Sequence, residues 1–383
     1  MATITDRPAA ASRPRAFPAD FGTSPFIVIW EATRACALKC VHCRAEAIAR
    51  RDPRELTTAE ACGLIDQVKA FGEPSPLFVI TGGDPMWRKD LADIVRYATE
   101  RGVTVALTPS GTGAATKARL AELKAAGLSR VAVSLDGPDA ETHDRFRGVR
   151  GSFMYTMKII DAVTELGLPL QINTTVSRLT LPQLSAMADL VGRLPLVLWA
   201  VFFLVQTGRG ADLEQITAEE AEDVLRYLHD LSGRVPFGIK TTEAPHFRRV
   251  LWQEDQAQLV AGLPPDAPDV FRRPHLRAPR AVNDGNGFVF IDHVGQICPS
   301  GFLPMARGNV RDGGLVDVYR HDPIFLALRD AGRLQGRCGR CAFREMCGGS
   351  RSRAFAATGD PFGTDPLCGY QPSSVTEELV GTV

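Results

Sequence analysis

The sequence predicts an α/β protein: a curved, incomplete parallel (β/α)6 barrel followed by a small α+β, cysteine-rich domain. Three observations carry this. Between residues 26 and 232, short β-branched runs alternate with segments of helical period, the pattern of βαβ units joined by right-handed crossovers. Glycine and small polar residues follow each strand run, and the C-terminal ends of barrel strands are where such folds carry their chemistry. The nine cysteines clump, three at 36–43 and four at 338–368. That is the arithmetic of metal sites, since disulfide frameworks are spread more evenly.

The strand runs are 26–30 (FIVIW), 77–80 (LFVI), 103–107 (VTVAL), 130–134 (RVAVS), 168–174 (LPLQINT) and 197–204 (LVLWAVFF). Between them lie readable helix signals. Thr57-Thr58-Ala59-Glu60 is a capping box. The segment 114–126 is rich in Ala, Leu and Lys and stops at Gly127, a C-cap glycine. Thr217-Ala218-Glu219-Glu220 opens one more helix over 217–232. From 233 to 285 the pattern weakens into Pro- and Arg-rich sequence, read as a linker or cap. Residues 287–298 then predict a β-hairpin around Val294-Gly295, followed by a short helical piece at 315–331. The expected organisation is a loose tail at 1–20, the barrel at 21–232, the linker or cap at 233–285, the cysteine-rich domain at 286–372 and a tail at 373–383.

Composition narrows the function classes. Lys plus Arg and Asp plus Glu both number 44, a formal net charge of zero, so no global field draws the chain to nucleic acid or an anionic membrane. No segment offers the roughly 18 apolar residues of a membrane span. Residues 1–20 carry arginines but no apolar core of a signal peptide. Cysteines without an export signal imply reduced thiols and a cytoplasmic protein.

The stretch that organises the chain is Cys36-Ala37-Leu38-Lys39-Cys40-Val41-His42-Cys43, directly after the first strand run. Iron–sulfur clusters are held by closely spaced thiolates, normally four per cubane. Three thiols leave one iron open, and an open position marks a reactive metal site. Zinc is the alternative, but a zinc knuckle pairs Cys-x2-Cys with a second pair nearby, and the next such pair is Cys338-x2-Cys341.

Cys-x3-Cys-x2-Cys after a first strand resembles the radical S-adenosylmethionine (SAM) superfamily. The resemblance implies a [4Fe–4S] cluster on Cys36, Cys40 and Cys43, with SAM chelating the fourth iron and being cleaved to a 5′-deoxyadenosyl radical that abstracts hydrogen. Gly82-Gly83-Asp84-Pro85 resembles the family's Gly-Gly-Glu-Pro loop, which meets the SAM amine; Asp84 shortens the carboxylate. Ser134 and Asp136 match a motif near SAM, Asn173 a fifth-strand position that meets ribose or carboxylate, and Arg147 is the expected partner of the methionine carboxylate. A turn or rim packing is the plainer alternative for each. His42 takes a slot usually filled by an aromatic beside the adenine and is expected to pack there. Glu31 is expected to be a surface-satisfied loop residue, with action on substrate the alternative; Cys62 is expected in the core, and Cys298 reads as a buried hydrophobe, with a labile ligand or a substrate contact as alternatives.

Cys338-x2-Cys341-x5-Cys347, with Cys368 behind it, resembles the SPASM domain found after many such barrels. It implies one auxiliary [4Fe–4S] cluster on those four thiols; a four-cysteine zinc site is the alternative. The full pattern has seven cysteines and two auxiliary clusters. Here Arg351 stands where a further Cys is expected, and Cys298 matches a position of the inner cluster but lacks its partners.

The tail from Cys347 to Cys368, with Trp30-Glu31-Ala32-Thr33-Arg34-Ala35-Cys36, is similar to the haem-pathway branch: iron-coproporphyrin decarboxylases, d-type haem enzymes and the neighbouring mycofactocin maturase. The resemblance implies an oxidoreductase that takes hydrogen from a porphyrin propionate with loss of carboxylate, served by an electron donor such as flavodoxin or ferredoxin. Arg272, Arg273, Arg277 and Arg280 would suit propionate carboxylates, although a solvated basic loop is the plainer explanation. Two other readings stay open: a peptide-modifying maturase of the SPASM type, and a non-catalytic Fe–S scaffold or electron carrier.

Overall fold

A computed structural model describes residues 20–260 and 282–372, with side chains omitted over 256–260. The arginines at 272–280 lie outside the described residues. A single nine-stranded sheet runs through the molecule in the order β7-β6-β5-β4-β3-β2-β1-β8-β9. The six expected strands are β1 (Ile27–Glu31), β2 (Leu77–Thr81), β3 (Val105–Leu107), β4 (Arg130–Ser134), β5 (Leu170–Val176) and β6 (Leu198–Phe203). All pair in parallel.

The helices between them are α1 (Thr58–Lys69), α2 (Leu91–Glu100), α3 (Lys117–Ala125), α4 (Ala140–Arg147), α5 (Ser152–Glu165), α6 (Leu184–Gly192) and α7 (Ala218–Ser232). Thr57 and Thr217 each form the full reciprocal capping box. α3 starts three residues later than the composition suggests because Thr116 caps it, accepting from Arg119 N.

The sheet extends further at both ends than six units. Where the sequence reads as a linker or cap, β7 (Gly238–Thr242) pairs in parallel with β6, and α8 (Phe247–Val260) follows. The expected hairpin forms from β8 (Phe288–Ile291) and β9 (Ile297–Cys298), turning at Gly295 with φ +86°. β8 also joins the main sheet, in parallel with β1. The helical piece at 315–331 is two helices, α9 (Leu315–His321) and α10 (Pro323–Arg329), broken at Asp322, which caps the second. α11 (Gly336–Gly339) and α12 (Arg351–Thr358) complete the cysteine-rich region.

Helices cover one face of the sheet with a continuous apolar core that includes Trp30, Phe78, Ile80, Val131, Val133, Ile172, Trp199 and Val201. Alternation along each strand turns the polar residues to the other, inner face. Cys62 is half-buried on α1, not a core residue, because α1 buries the stripe of Ala61, Leu64, Ile65 and Val68. Among the described residues, no helix is long and apolar enough to cross a membrane.

Buried polar contacts join the cysteine-rich region to the barrel rim. The guanidinium of Arg353 donates to Asp365 (3.2 Å to each oxygen) and to the Glu243 carbonyl (2.6 Å). Glu243, just beyond β7, has φ +59° and accepts from Ser350 Oγ at 2.5 Å. Asp284 accepts from Ser352 N (2.7 Å) and Ser352 Oγ (2.9 Å).

Burial first, and the neighbouring Asp284 second, push the Glu243 carboxyl up to about 8. A raised carboxyl supports the fold while protonated. That support is complete below about pH 4.5 and is lost as pH rises towards about 8. Stability should therefore fall over that interval, by on the order of 1–2 kcal/mol after allowing for solvent at the half-buried carboxyl. Urea unfolding at a series of pH values should show Glu243→Gln flattening the decline.

Candidate functional site

The cysteine loop lies at the C-terminal end of β1 and is held by its neighbours' backbones. Gly83 N donates to Thr33 O (2.6 Å) and Asp84 N to Ala35 O (2.7 Å). A Cβ built on Gly82 would stand 2.4 Å from Thr33 O, and one on Gly83 2.4 Å from Ala35 O. Gly82 also has φ +151°, so both positions need glycine. From the far side, Lys39 N donates to Arg147 O (3.1 Å) and Val41 N to Phe146 O (3.0 Å). Gly148 ends α4 at φ +69°, where a Cβ would stand 2.3 Å from Lys39 O. The loop after β6 closes the frame: Arg209 donates its N–H to Cys43 O (3.1 Å) and its Nε to Cys40 O (3.0 Å).

Each sulfur of the triad has a donor or hydroxyl neighbour. Leu38 N donates to Cys36 Sγ (3.3 Å), which also lies 3.5 Å from Ser110 Oγ. Arg147 Nη1 donates to Cys40 Sγ (3.6 Å), and Ala47 N to Cys43 Sγ (3.5 Å). Burial pushes the Cys36 and Cys40 thiols up, with Arg147 opposing it at Cys40. These sulfurs suit a cluster, because N–H donors aimed at thiolates are what an Fe–S site provides. Among the described residues, no group of three or more His, Cys, Asp or Glu closes on a single-ion position.

The predicted SAM-contact residues divide into two sets. Ser134 and Asn173 are register partners at the ends of β4 and β5, both half-buried on the inner face. Gln171 Nε2 donates to Asn173 Oδ1 at 2.8 Å. Asp84 and Asp136 instead point into the protein. Asp84 is fully buried and accepts from Thr112 Oγ1 (2.6 Å), Met86 N (3.2 Å) and Ser110 N (3.4 Å), tying the β2 loop to the β3 loop. Asp136 is buried, ion-paired to Arg147, and accepts from Thr175 N at 2.6 Å. Burial works against the Arg147 charge, but Asp136 and the Cys40 sulfur more than offset it and raise the guanidinium pKa. Arg147 thus links Asp136 to a cysteine. His42 packs as expected, stacked on Phe146 with ring centroids 4.2 Å apart.

Glu31 departs from expectation. It is 2 % exposed at the end of β1, paired with Arg44 at 2.5 Å and His293 at 3.2 Å. Arg44 lies over the Phe290 ring at 4.6 Å, so this network fastens the cysteine loop to the β8 hairpin. Arg44 and His293 have no motif in the sequence; only the pairing of β8 with β1 brings them together.

The second group is assembled as the spacing implies. Cys338, Cys341, Cys347 and Cys368 line one cavity of about 420 Å³ including its open mouth, with Arg249 and Tyr370 among its walls. Asp365 N donates to Cys338 Sγ, Phe343 N to Cys341 Sγ and Gly349 N to Cys347 Sγ, each at 3.4 Å. Arg351 is fully buried and donates to Cys338 Sγ (3.5 Å) and to the carbonyls of Pro361 and Gly363 (both 2.8 Å). Where a further cysteine was expected, a guanidinium supports an existing one. Burial pushes Cys368 up to about 11. Cys298 is buried on β9 opposite Phe290, away from this cavity, and burial takes its thiol to about 12.

Residues 30–191 match the family model described as the radical SAM superfamily. The chain is 41 % identical over 348 residues to the AdoMet-dependent heme synthase of Oleidesulfovibrio alaskensis, covering 90 % of this chain and 87 % of that one. It is 31 % identical to mycofactocin maturase MftC of Mycolicibacterium smegmatis, covering 93 % and 86 %. In fold it is similar to Streptococcus suis SuiB bound to SAM, with a TM-score of 0.68 at 17 % identity over 91 % of this chain and 78 % of that one. The chain belongs to the radical SAM superfamily, in the family that includes the AdoMet-dependent haem synthases and the mycofactocin maturases, and it is an enzyme that uses SAM and a [4Fe–4S] cluster.

Proposed function

We propose that the chain takes hydrogen from a propionate side chain of a porphyrin and releases the carboxylate, as an oxidoreductase of haem biosynthesis. The observation that carries this reading is the similarity along nearly the whole chain to a haem synthase, 41 % identical, against 31 % for the peptide maturase. The chemistry balances as one hydrogen atom lost from the carbon β to the carboxylate, one CO2 released as the vinyl double bond forms, and one electron passed to an acceptor. A reduced flavodoxin or ferredoxin would supply the electron that starts the reaction.

Cys36, Cys40 and Cys43 would hold the cluster that, with SAM, supplies the 5′-deoxyadenosyl radical. Gly82 and Gly83 would admit SAM by leaving the backbone bare, and Ser134 and Asn173 would meet it from the inner face. Asp84, Asp136 and Arg147 would act behind this contact layer, bracing the β2 loop and orienting Cys40. Cys338, Cys341, Cys347 and Cys368 would hold one auxiliary [4Fe–4S] cluster, a one-electron carrier.

Anaerobic reconstitution with SAM, dithionite and iron-coproporphyrin III tests the reading. The expected product has lost one CO2 and two hydrogens for each propionate converted; an unchanged porphyrin mass would reject it. Replacing Cys36, Cys40 or Cys43 with Ala should abolish 5′-deoxyadenosine formation. Cys347→Ala should instead lower iron content by about four atoms per chain and stop porphyrin conversion while SAM cleavage continues. Arg147→Met should cost about 3–5 kcal/mol in urea unfolding by leaving Asp136 buried without its counter-charge, and Asp136→Asn in the same chain should recover part of that loss.

A further inference from the structure

Away from both cysteine sites, the inner face of the sheet carries two cations that nothing among the described residues answers. Residues paired in a parallel register share a face. Ser134 pairs with Asn173, Asn173 with Ala200, and Ala200 with Lys240. These four residues therefore form one row across β4, β5, β6 and β7. Their chain neighbours Val133, Ile172, Trp199, Val201 and Ile239 all lie in the core beneath the helices, so the row faces inward. Arg130, four residues before Ser134 on β4, has the same orientation.

Lys240 is half-buried, and its ammonium has no hydrogen bond or ion pair among the described residues. The charge that acts on it is another cation, Arg130, and burial together with Arg130 pulls its pKa down to about 8. Arg130 is itself half-buried and also has no ion pair among the described residues, and burial lowers its pKa too. The contrast with the other inner cations is sharp: Arg147 has Asp136, Arg44 has Glu31, and Arg209 has the Cys40 carbonyl. A cation removed from water without a counter-ion is costly unless something bound supplies the opposite charge.

We propose that Lys240, with Arg130 behind it, anchors a carboxylate of the substrate on the inner wall of the barrel. The assignment rests on the functional reading above, in which that carboxylate is a porphyrin propionate. A lysine point charge and a guanidinium fork together suit a carboxylate that must be held in one orientation. Lys240 belongs to the same register row as Ser134 and Asn173, the pair assigned to SAM. Lys240 is then a substrate-binding residue, and Arg130 a positioning residue acting beside it.

The test is a Soret titration of the reconstituted full chain with iron-coproporphyrin III and, separately, with the same porphyrin as its methyl esters. Lys240→Met should weaken binding of the free acid by about 10- to 100-fold, and Lys240→Arg should restore it to within about fivefold. The ester should bind wild type and Lys240→Met equally. Unchanged iron content in both variants shows that the fold is intact. If Lys240→Met binds the free acid as wild type does, the assignment is wrong and the functional reading survives. If Lys240→Met loses affinity for SAM in equilibrium dialysis, the lysine serves the methionine carboxylate and the assignment is again wrong. If wild type binds neither porphyrin form, the functional reading fails and takes the assignment with it.

Discussion

Everything reactive in this molecule depends on how closely the β2 loop approaches the β1 loop. Gly82 and Gly83 press against the Thr33 and Ala35 carbonyls, with no room for a Cβ at either position. The two backbone bonds made there, 2.6 and 2.7 Å long, set the path of the chain immediately before Cys36. A loop bearing three cysteines proposed as cluster ligands must not wander, since cluster binding needs the sulfurs pre-placed and otherwise has to order them. The other two clamps, at the end of α4 and after β6, fix the same loop from two more sides.

Both cysteine sites use a buried arginine in the same way. Arg147 donates to Cys40 and Arg351 to Cys338, while backbone N–H groups serve other sulfurs of each set. Burial alone favours the neutral thiol, whereas a nearby guanidinium favours the thiolate that binds iron. Hydrogen bonds and positive charge near a cluster also raise its potential. Each arginine is otherwise committed, Arg147 to Asp136 and Arg351 to two carbonyls, so neither is spare charge. At position 351, where a further cysteine was expected, the side chain is therefore a donor to an existing sulfur.

The inner wall follows from strand alternation. Six strands were legible because each is a run of β-branched and apolar residues buried beneath helices. β7 was not, because Gly238-Ile239-Lys240-Thr241-Thr242 has one core residue and turns its lysine inward. A strand whose polar side faces a cavity has the composition of a loop. For the same reason the region after 232 read as a linker, and a charged residue of the barrel wall went unnoticed.

The cysteine spacings, the glycine pair and the capping boxes were decided locally, by residues within one loop or one helical turn, and they pointed to both cysteine groups and to the superfamily without coordinates. Which carboxylates face a ligand and which face the protein was not decided there. Asp84 and Asp136 sit in motif positions, but their oxygens are claimed by Thr112, Thr175 and Arg147, residues 11 to 39 positions away. The pairing of β8 with β1, and the Glu31–Arg44–His293 network that it permits, spans 262 positions between Glu31 and His293. Contacts of that range depend on how strands order themselves in a sheet, and no local pattern of residue types encodes that order.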